Sequence, residues 1–105
     1  MESDGTARPP RNAVEVVLYV NPHSATSARA RRNLETALQE YAPATFRLIV
    51  RDVSRDVEES EADHIVFTPT LIVRHADNAC VLVGDLGDRV TVTAMLGLGG
   101  MEIAG

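Results

Sequence analysis

A seven-residue run of β-branched and aliphatic side chains near the start of the chain limits most strongly the folds open to it. Residues Val14–Val20 read VEVVLYV and include one charged side chain, Glu15. Successive side chains of a strand point to opposite faces, so a strand this apolar must be covered on both faces. The run therefore predicts an α/β sheet with this segment as its first, central strand.

The residues after this run carry the signals of a helix start. Asn21-Pro22-His23 interrupts the apolar stretch. The hydroxyl of Ser24, Thr26 or Ser27 can accept a hydrogen bond from the free amides of a helix N-terminus. Apolar residues then recur at steps of three and four, at Leu34, Ala37, Leu38 and Tyr41. This spacing predicts a helix with one apolar face, ended by Pro43.

The remaining sequence predicts a strand, a short helix or turn, a hairpin and a last helix. Phe46–Val53 reads as the second strand, and the acidic stretch Ser54–His64 shows only weak helical periodicity. Asp77-Asn78 separates the apolar runs LIVRH and CVLVG, which indicates a polar hairpin turn. Asp88 can cap a helix over Arg89–Leu98, which is needed to cover the sheet.

The resulting order βαβαββα, with a Thr68-Pro69 step before the third strand, predicts a thioredoxin-like α/β domain with a mixed four-stranded sheet. A chain of 105 residues suffices for one hydrophobic core, so we expect a single domain over residues 13–99. Residues 1–12, which mix glycine, proline and charge, are expected to form a disordered tail, and residues 100–105 a flexible C-terminus. The Thr68–Pro69 peptide bond can be cis or trans.

Composition excludes several classes of partner. The formal net charge is -5 and aromatic residues make up 4%, so neither a phosphate-binding stripe nor a base-stacking surface is expected, and nucleic acid is an improbable ligand. No apolar stretch approaches the roughly 20 residues of a membrane helix. We expect a cytoplasmic protein. Cys80 is the single cysteine, which excludes an internal disulfide and fits a reducing compartment.

Redox and metal chemistry are not expected. Enzymes of the thioredoxin fold carry two cysteines between the first strand and the first helix, where this chain reads NPHSATS. Cys80 instead lies in an apolar run and is interpreted as a small buried side chain. His23, His64 and His75 are scattered, with no spacing that suggests a triad or a zinc site. We therefore predict a protein that is not an enzyme and has no metal or other cofactor.

Two features of the sequence, an arginine cluster in the first helix and weak helix propensity in the last one, each have two interpretations. Arg29, Arg31 and Arg32 form either a solvated helix face or a basic patch for an acidic partner. The last helix contains four consecutive β-branched residues, Val90–Thr93, and then three glycines, Gly97, Gly99 and Gly100, all of which weaken a helix. Either this segment has a second arrangement, or packing of Val90, Ala94 and Leu98 overrides the weak propensity.

Several blocks of residues resemble the KaiB family of circadian clock proteins. They are LYV at Leu18–Val20, Ser27, Arg29-Ala30, Asp52-Val53, Asp63, TPTL at Thr68–Leu71, Gly84-Asp85-Leu86 and Arg89. The resemblance extends from about Glu15 to Leu98. TPTL followed by GDL at this separation is its most specific part.

The resemblance implies a protein without enzymatic activity that binds a KaiC-type ATPase and modulates its phosphorylation or ATPase cycle, in circadian or stress-related timing. It also implies bacterial relatives that exchange a ground-state homo-oligomer for a thioredoxin-like monomer by refolding the C-terminal half, with KaiA-like proteins or histidine kinases as further partners. Two alternatives remain. One is a sensor domain like that of a clock-output histidine kinase, and the other is a residual glutathione-dependent transferase.

Site residues follow partly from this resemblance and partly from expected exposure. Arg29 and Asp63 coincide with residues of the family, whereas three others are chosen because we expect them to be exposed. The predicted partner-binding residues are Arg29, Arg32, Arg47, Asp63 and His64. The predicted structural residues are Thr68, Pro69, Gly84 and Asp85.

Overall fold

A computed structural model describes residues 13–98 as a four-stranded mixed sheet with helices on both faces, so the tail expected over residues 1–12 and the C-terminus expected over residues 100–105 lie outside the described residues. The elements are β1 Val14–Val20, α1 Ala25–Leu38, a 3-10 turn Pro43–Thr45, β2 Phe46–Asp52, α2 Val57–Ala62, β3 Thr70–His75, β4 Asn78–Val83 and α3 Arg89–Leu98. The predicted order βαβαββα and thioredoxin-like class are confirmed.

Strand β1 lies in the middle of the sheet and is buried on both faces, as its sequence predicts. The strand order is β2-β1-β3-β4, with β1 parallel to β2 and antiparallel to β3. Val16 and Leu18 belong to the larger core cluster, on what we call the first face. Val17 and Tyr19 belong to a smaller cluster on the second face. Both layers of the fold are therefore anchored on one strand.

Helix α1 covers the first face and begins where the sequence indicates. The Ser24 hydroxyl caps it by accepting a hydrogen bond from the Ser27 amide at 3.2 Å. The predicted end at Pro43 is wrong, because the helix stops at Leu38 and Pro43 opens the 3-10 turn. Tyr41 is still buried, but it lies beyond the helix.

Helix α3 has the predicted bounds and a different buried face. Its start is capped by Asp88, whose carboxylate accepts hydrogen bonds from the amide and hydroxyl of Thr91. Val90 is 79% exposed and Ala94 is also exposed, so the predicted packing of these two residues is wrong. The residues buried instead are Val92, Met95 and Leu96. These three residues recur at helical spacing of three and four, and Met95 and Leu96 are larger than Ala94, so this stripe buries more apolar surface.

The β3–β4 hairpin turns one residue earlier than predicted, and the left-handed conformation of Ala76 shapes it. Its loop is Ala76-Asp77, because Asn78 already pairs with His75 in the ladder. Ala76 has a φ of 56°, the left-handed conformation that the first position of a two-residue hairpin turn requires. Sequence reasoning placed the turn one residue too late, because Asn78 is a favourable turn residue in its own right.

The two glycines Gly97 and Gly84 give a matched test of α3 and of the turn after β4. A Cβ added at Gly97 meets nothing within 4 Å, so Gly97→Ala should raise the free energy of unfolding by up to about 1 kcal/mol through helix propensity. Gly84 has a φ of 127°, so Gly84→Ala should lower it by about 1 to 3 kcal/mol. Urea denaturation of both variants measures this. Loss of stability in Gly97→Ala would contradict the described α3.

Candidate functional site

The residues between β1 and α1 line an open cavity of about 620 Å³. It lies where the parallel strands β1 and β2 end, the position at which α/β sheets commonly bind ligands. Asn21, Pro22, Ser24 and Ser27 of the NPHSATS segment contribute to its wall. The other lining residues are Val20, Ala28, Arg31, Val50, Asp52, Arg55 and Asp56. We call this cavity the crevice.

The polar groups of the crevice are engaged with one another. The buried Ser27 hydroxyl accepts a hydrogen bond from the Asn21 amide at 3.0 Å. Asp52 accepts hydrogen bonds from the hydroxyl and amide of Ser54, which lower the pKa of its carboxyl. Asp56 accepts from the Asp52 amide at 2.9 Å. These bonds fix the loops after β1 and β2, so the crevice has a preformed wall.

The cysteine of the chain lies away from the crevice. Cys80 is half-buried in β4 and packs on the first-face core, and β3 separates β4 from β1. Thiol-disulfide exchange needs a thiolate at the reacting site. The lining residues of the crevice include no cysteine, so they do not supply the thiol of such an exchange.

A charged network holds the end of α2 on the second face of the sheet. The carboxylate of Asp63 accepts two hydrogen bonds from the Arg74 guanidinium, at 2.9 and 3.3 Å, and a third from the Tyr19 hydroxyl. Arg74 also lies 3.5 Å from Glu15 of β1, and the Tyr19 hydroxyl lies 3.1 Å from the carbonyl of Glu59 in α2. The network thus joins α2 to β1 and β3.

The network shifts the pKa values of Asp63 and Tyr19. The Arg74 guanidinium, and secondarily the Tyr19 hydroxyl, hold the pKa of Asp63 below its usual range. Burial, reinforced by the Asp63 carboxylate, raises the pKa of Tyr19 to about 12. The Asp63 side chain is only 18% exposed. A residue predicted to bind a partner is therefore also part of the fold's own hydrogen bonding.

Sequence reasoning did not single out Tyr19 or Arg74. A usable signal existed for Tyr19, since the hydroxyl of a tyrosine in a buried strand needs a hydrogen-bond partner. The identity of that partner depends on tertiary structure, because Asp63 is 44 residues away along the chain.

The five predicted partner-binding residues fall on two sides of the sheet. Arg29 and Arg32 are exposed on α1, over the first face, and Arg29 lies 3.7 Å from Asp85. Arg47 is exposed on β2, while Asp63 and His64 follow α2 on the second face. We call the first pair the α1 pair and the other three the second-face group.

His64 ends α2 in a conformation that side chains other than glycine seldom adopt. Its φ is 56°. The His64 amide donates to the Glu61 carbonyl, and the Ile65 amide donates to the Ser60 carbonyl at 2.9 Å. This is the Schellman pattern that ends helices with a left-handed residue. The exposed imidazole of His64 therefore has a fixed backbone position beside the Asp63 network.

The predicted structural residues lie together at the open end of the β3–β4 pair, two before β3 and two after β4. The Thr68–Pro69 peptide bond is cis, which resolves the alternative left by the sequence. The Gly84 amide donates to the Pro69 carbonyl at 3.0 Å. The Asp85 carbonyl accepts a hydrogen bond of 2.8 Å from the side-chain amide of Asn33 in α1. These bonds connect the start of β3, the end of β4 and α1.

Metal-binding clusters and membrane-spanning helices are absent from the described residues 13–98. Across residues 13–98, His, Cys, Asp and Glu side chains do not come together in threes as a metal site requires. In the same range, every helix is too short or too polar to span a membrane.

The Asp63 network predicts a pH-dependent contribution to stability. The pKa of Asp63 is lower in the folded protein, so its ionisation stabilises the fold above the unfolded-state pKa, and this is lost as pH falls through the folded-state pKa. At neutral pH, Asp63→Asn should lower the free energy of unfolding by about 2 kcal/mol. The deficit should shrink below about pH 4. Urea titrations at several pH values, with the turn variant Asp77→Asn as control, measure it. A deficit independent of pH would contradict this role.

Solved structures support the fold independently of sequence. The thioredoxin Deadhead from Drosophila melanogaster superimposes with a TM-score of 0.71 at 14% identity, covering 83% of this chain and 81% of that chain. Identity at this level bears on the fold alone. The superposition confirms that the fold is thioredoxin-like.

Sequence comparisons give the family. A family model described as KaiB domain matches residues 17–98. The circadian clock oscillator protein KaiB of Gloeothece citriformis is 33% identical over 88 residues, which cover 84% of this chain and 83% of the relative. The KaiB protein of Prochlorococcus marinus strain MIT 9313 is 34% identical over 89 residues, covering 85% and 75%. The chain belongs to the KaiB family.

Proposed function

We propose that this protein acts in the cytoplasm without catalytic activity, by binding a KaiC-type ATPase and modulating its phosphorylation or ATPase cycle. The observation that carries the proposal is the KaiB match over residues 17–98. A KaiA-like protein or a histidine kinase would be a further partner of the same surfaces.

The crevice favours binding over catalysis. It occupies the position of a thioredoxin-type reaction centre, yet its wall contains hydroxyl, carboxylate, amide and guanidinium groups and no thiol. The Ser27 hydroxyl, which a transferase would need free, is 2% exposed and already accepts the Asn21 amide. We therefore expect a partner to be recognised by exposed surface residues, and the predicted ones carry charge.

The α1 pair offers the better-placed charge for an acidic partner. Arg32 is exposed and has no ion pair with any other residue of the range 13–98, whereas Arg29 is already close to Asp85. Arg47, in the second-face group, is also exposed, opposite Glu15 in the β1–β2 ladder. Since the sheet separates the two groups, a flat partner surface would contact one of them. Charge reversal in each group identifies which.

A binding experiment with two charge-reversal variants and one control variant tests the proposal. A purified KaiC-type ATPase is immobilised in ATP or in ADP, and the affinities of wild type, Arg32→Glu and Arg47→Glu are measured by biolayer interferometry. We expect wild-type binding in at least one nucleotide state and a loss of at least about tenfold in one of the two variants, equivalent to about 1.4 kcal/mol.

Arg89→Glu is the control, because it makes the same charge change outside the crevice and outside both predicted groups. Arg89 begins α3 and pairs with Glu40 at 2.6 Å. Absence of wild-type binding in both nucleotide states would contradict the proposal. An equal loss in all three variants would contradict the assigned surface, since it would reflect net charge alone. Asp63 is unsuitable for this test because its substitution is expected to destabilise α2.

We also infer that the C-terminal half is the less firmly determined part of the fold. The non-glycine residues with positive φ in the range 13–98 are His64, Ala76 and Leu86, and all three follow α2. Each such residue costs roughly 1 to 2 kcal/mol. Helix α3 adds the unfavourable propensity of Val90–Thr93. These costs support a second packing of this half, as the family resemblance implies.

The resting fold separates the clock-type function from its alternative, a sensor domain that keeps the thioredoxin-like form. Backbone chemical shifts of the free protein report the secondary structure of each residue. A clock-type protein should give shifts for residues 57–98 that differ from α2, β3, β4 and α3. Shifts that match these elements throughout would contradict the refolding proposal and favour the sensor domain.

A further inference from the structure

The crevice has an apolar floor that the helices leave partly uncovered. Val20 and Val50 form this floor at the ends of β1 and β2, on the first face of the sheet, and both are half-buried. Pro22 and Ala28 add exposed apolar surface at its sides. The volume of about 620 Å³ lies within the range of small-molecule sites, which are mostly apolar with a few placed polar groups. An aliphatic group of a ligand would therefore pack on this floor.

The wall of the crevice on the α1 side favours negative charge. Arg31 lines it, and the ion pair of Arg31 is with Glu35, which lies outside the crevice. Both side chains of this pair are about half exposed, and such surface pairs contribute little stability. The guanidinium is therefore free to turn towards a ligand. Helix α1 also begins at this wall, and the partial positive charge of a helix N-terminus adds to the attraction for an anion.

The buried hydroxyl of Ser27 is an independent indication of a ligand at the same wall. Ser27 lines the crevice and is 2% exposed. The Asn21 amide occupies a lone pair of the Ser27 oxygen, which hinders a nucleophilic role, but the hydroxyl hydrogen has no acceptor among residues 13–98. Buried polar groups nearly always make their hydrogen bonds, so this hydrogen calls for an acceptor that the chain does not supply. A carboxylate of a ligand would provide one.

The opposite wall, formed by the loop after β2, offers carboxylates to a cation. Asp52 accepts hydrogen bonds from Ser54 through Oδ1, and Asp56 accepts the Asp52 amide through Oδ2. The second oxygen of each carboxylate accepts no hydrogen bond from residues 13–98. The lowered pKa of Asp52 keeps it ionised at neutral pH. Arg55 is exposed on this wall and makes no ion pair within the same range, so it is a second contact for an anion.

The charges of the crevice balance. Two arginines and two aspartates line it, so a ligand of one sign would be attracted by one pair and repelled by the other. A zwitterion is attracted by both pairs. An α-amino acid carries a carboxylate, an ammonium group and a side chain on one carbon, which matches the two kinds of charge and the apolar floor.

We propose that the crevice binds a free α-amino acid with an aliphatic side chain. Its carboxylate lies towards Arg31 and Ser27, its ammonium group towards Asp52 and Asp56, and its side chain on the valine floor. The site includes neither the α1 pair nor Arg47, so this proposal does not depend on the ATPase binding proposed above.

An NMR titration of the full chain with L-leucine tests the proposal. We expect saturable shifts of the amides that line the crevice, with a Kd of about 1 mM or lower. Isocaproate lacks the ammonium group of leucine, isoamylamine lacks the carboxylate, and glycine lacks the side chain. Each should bind at least about tenfold more weakly, because each loses one of the three kinds of contact.

Each ligand of this set has an outcome that counts against the proposal. Absence of saturable shifts up to about 10 mM leucine, ten times the expected Kd, would overturn it. Isocaproate or isoamylamine binding as tightly as leucine would show a site for a single charge, and glycine binding as tightly would show that the floor is not used. Either result would also overturn the proposal.

A pair of variants on α1 tests the assigned position. Arg31→Gln removes the charge of the α1 wall and should weaken leucine binding at least about tenfold. Arg32→Gln is the matched control, since it makes the same change at the next residue, which is exposed and does not line the crevice. The amide spectra of both variants verify that the fold is retained. Equal affinity of Arg31→Gln and wild type for leucine would contradict the site.

Discussion

The burial of β1 on both faces is the constraint on which the rest of the structure depends. Val16, Val17, Leu18 and Tyr19 are each at most 1% exposed. Burying one large aliphatic side chain contributes about 1.5 to 3 kcal/mol, so this strand alone supplies free energy comparable to the net stability of a small domain. Helices are needed on two sides, and the loops after β1 and β2 are fixed where those helices attach.

The two faces of β1 are covered by different kinds of contact. The first face is covered by α1 and α3, which contribute a conventional apolar core. The second face is covered by α2, a helix of six residues, far shorter than the 12 to 15 residues at which isolated helices become even marginally stable. Its position depends on Tyr19, Asp63 and Arg74 in place of a broad apolar stripe. A binding phenotype from a substitution at Asp63 must therefore be separated from loss of α2.

The elements with strong local signals could be predicted from sequence. The bounds of β1 and α3, a hydroxyl cap of α1 and the element order all follow from periodicity, capping and the need to cover an apolar strand, whereas the sequence did not decide which of Ser24, Thr26 and Ser27 is the cap. Local signals could not decide which stripe of α3 is buried, since Val90 and Ala94 have the same helical spacing as Val92 and Leu96. The sequence also did not reveal that Asp63, a predicted partner-binding residue, is hydrogen-bonded within the fold, because its partners Tyr19 and Arg74 lie on β1 and β3. The residue blocks of the KaiB family could be recognised in the sequence. The sequence could not show that the predicted contact residues lie on two sides of the sheet, because this depends on tertiary structure.

The dependence of α2 on a charged network has a consequence for how the folded chain opens. Helix α2 is held on the sheet through Asp63, which accepts hydrogen bonds from Arg74 and Tyr19. Acid that protonates Asp63 would release this helix before it disturbs β1 or the first-face core, because local segments open at lower free energy than the core. Partial opening is therefore governed by one carboxyl group, whereas complete unfolding is governed by apolar burial.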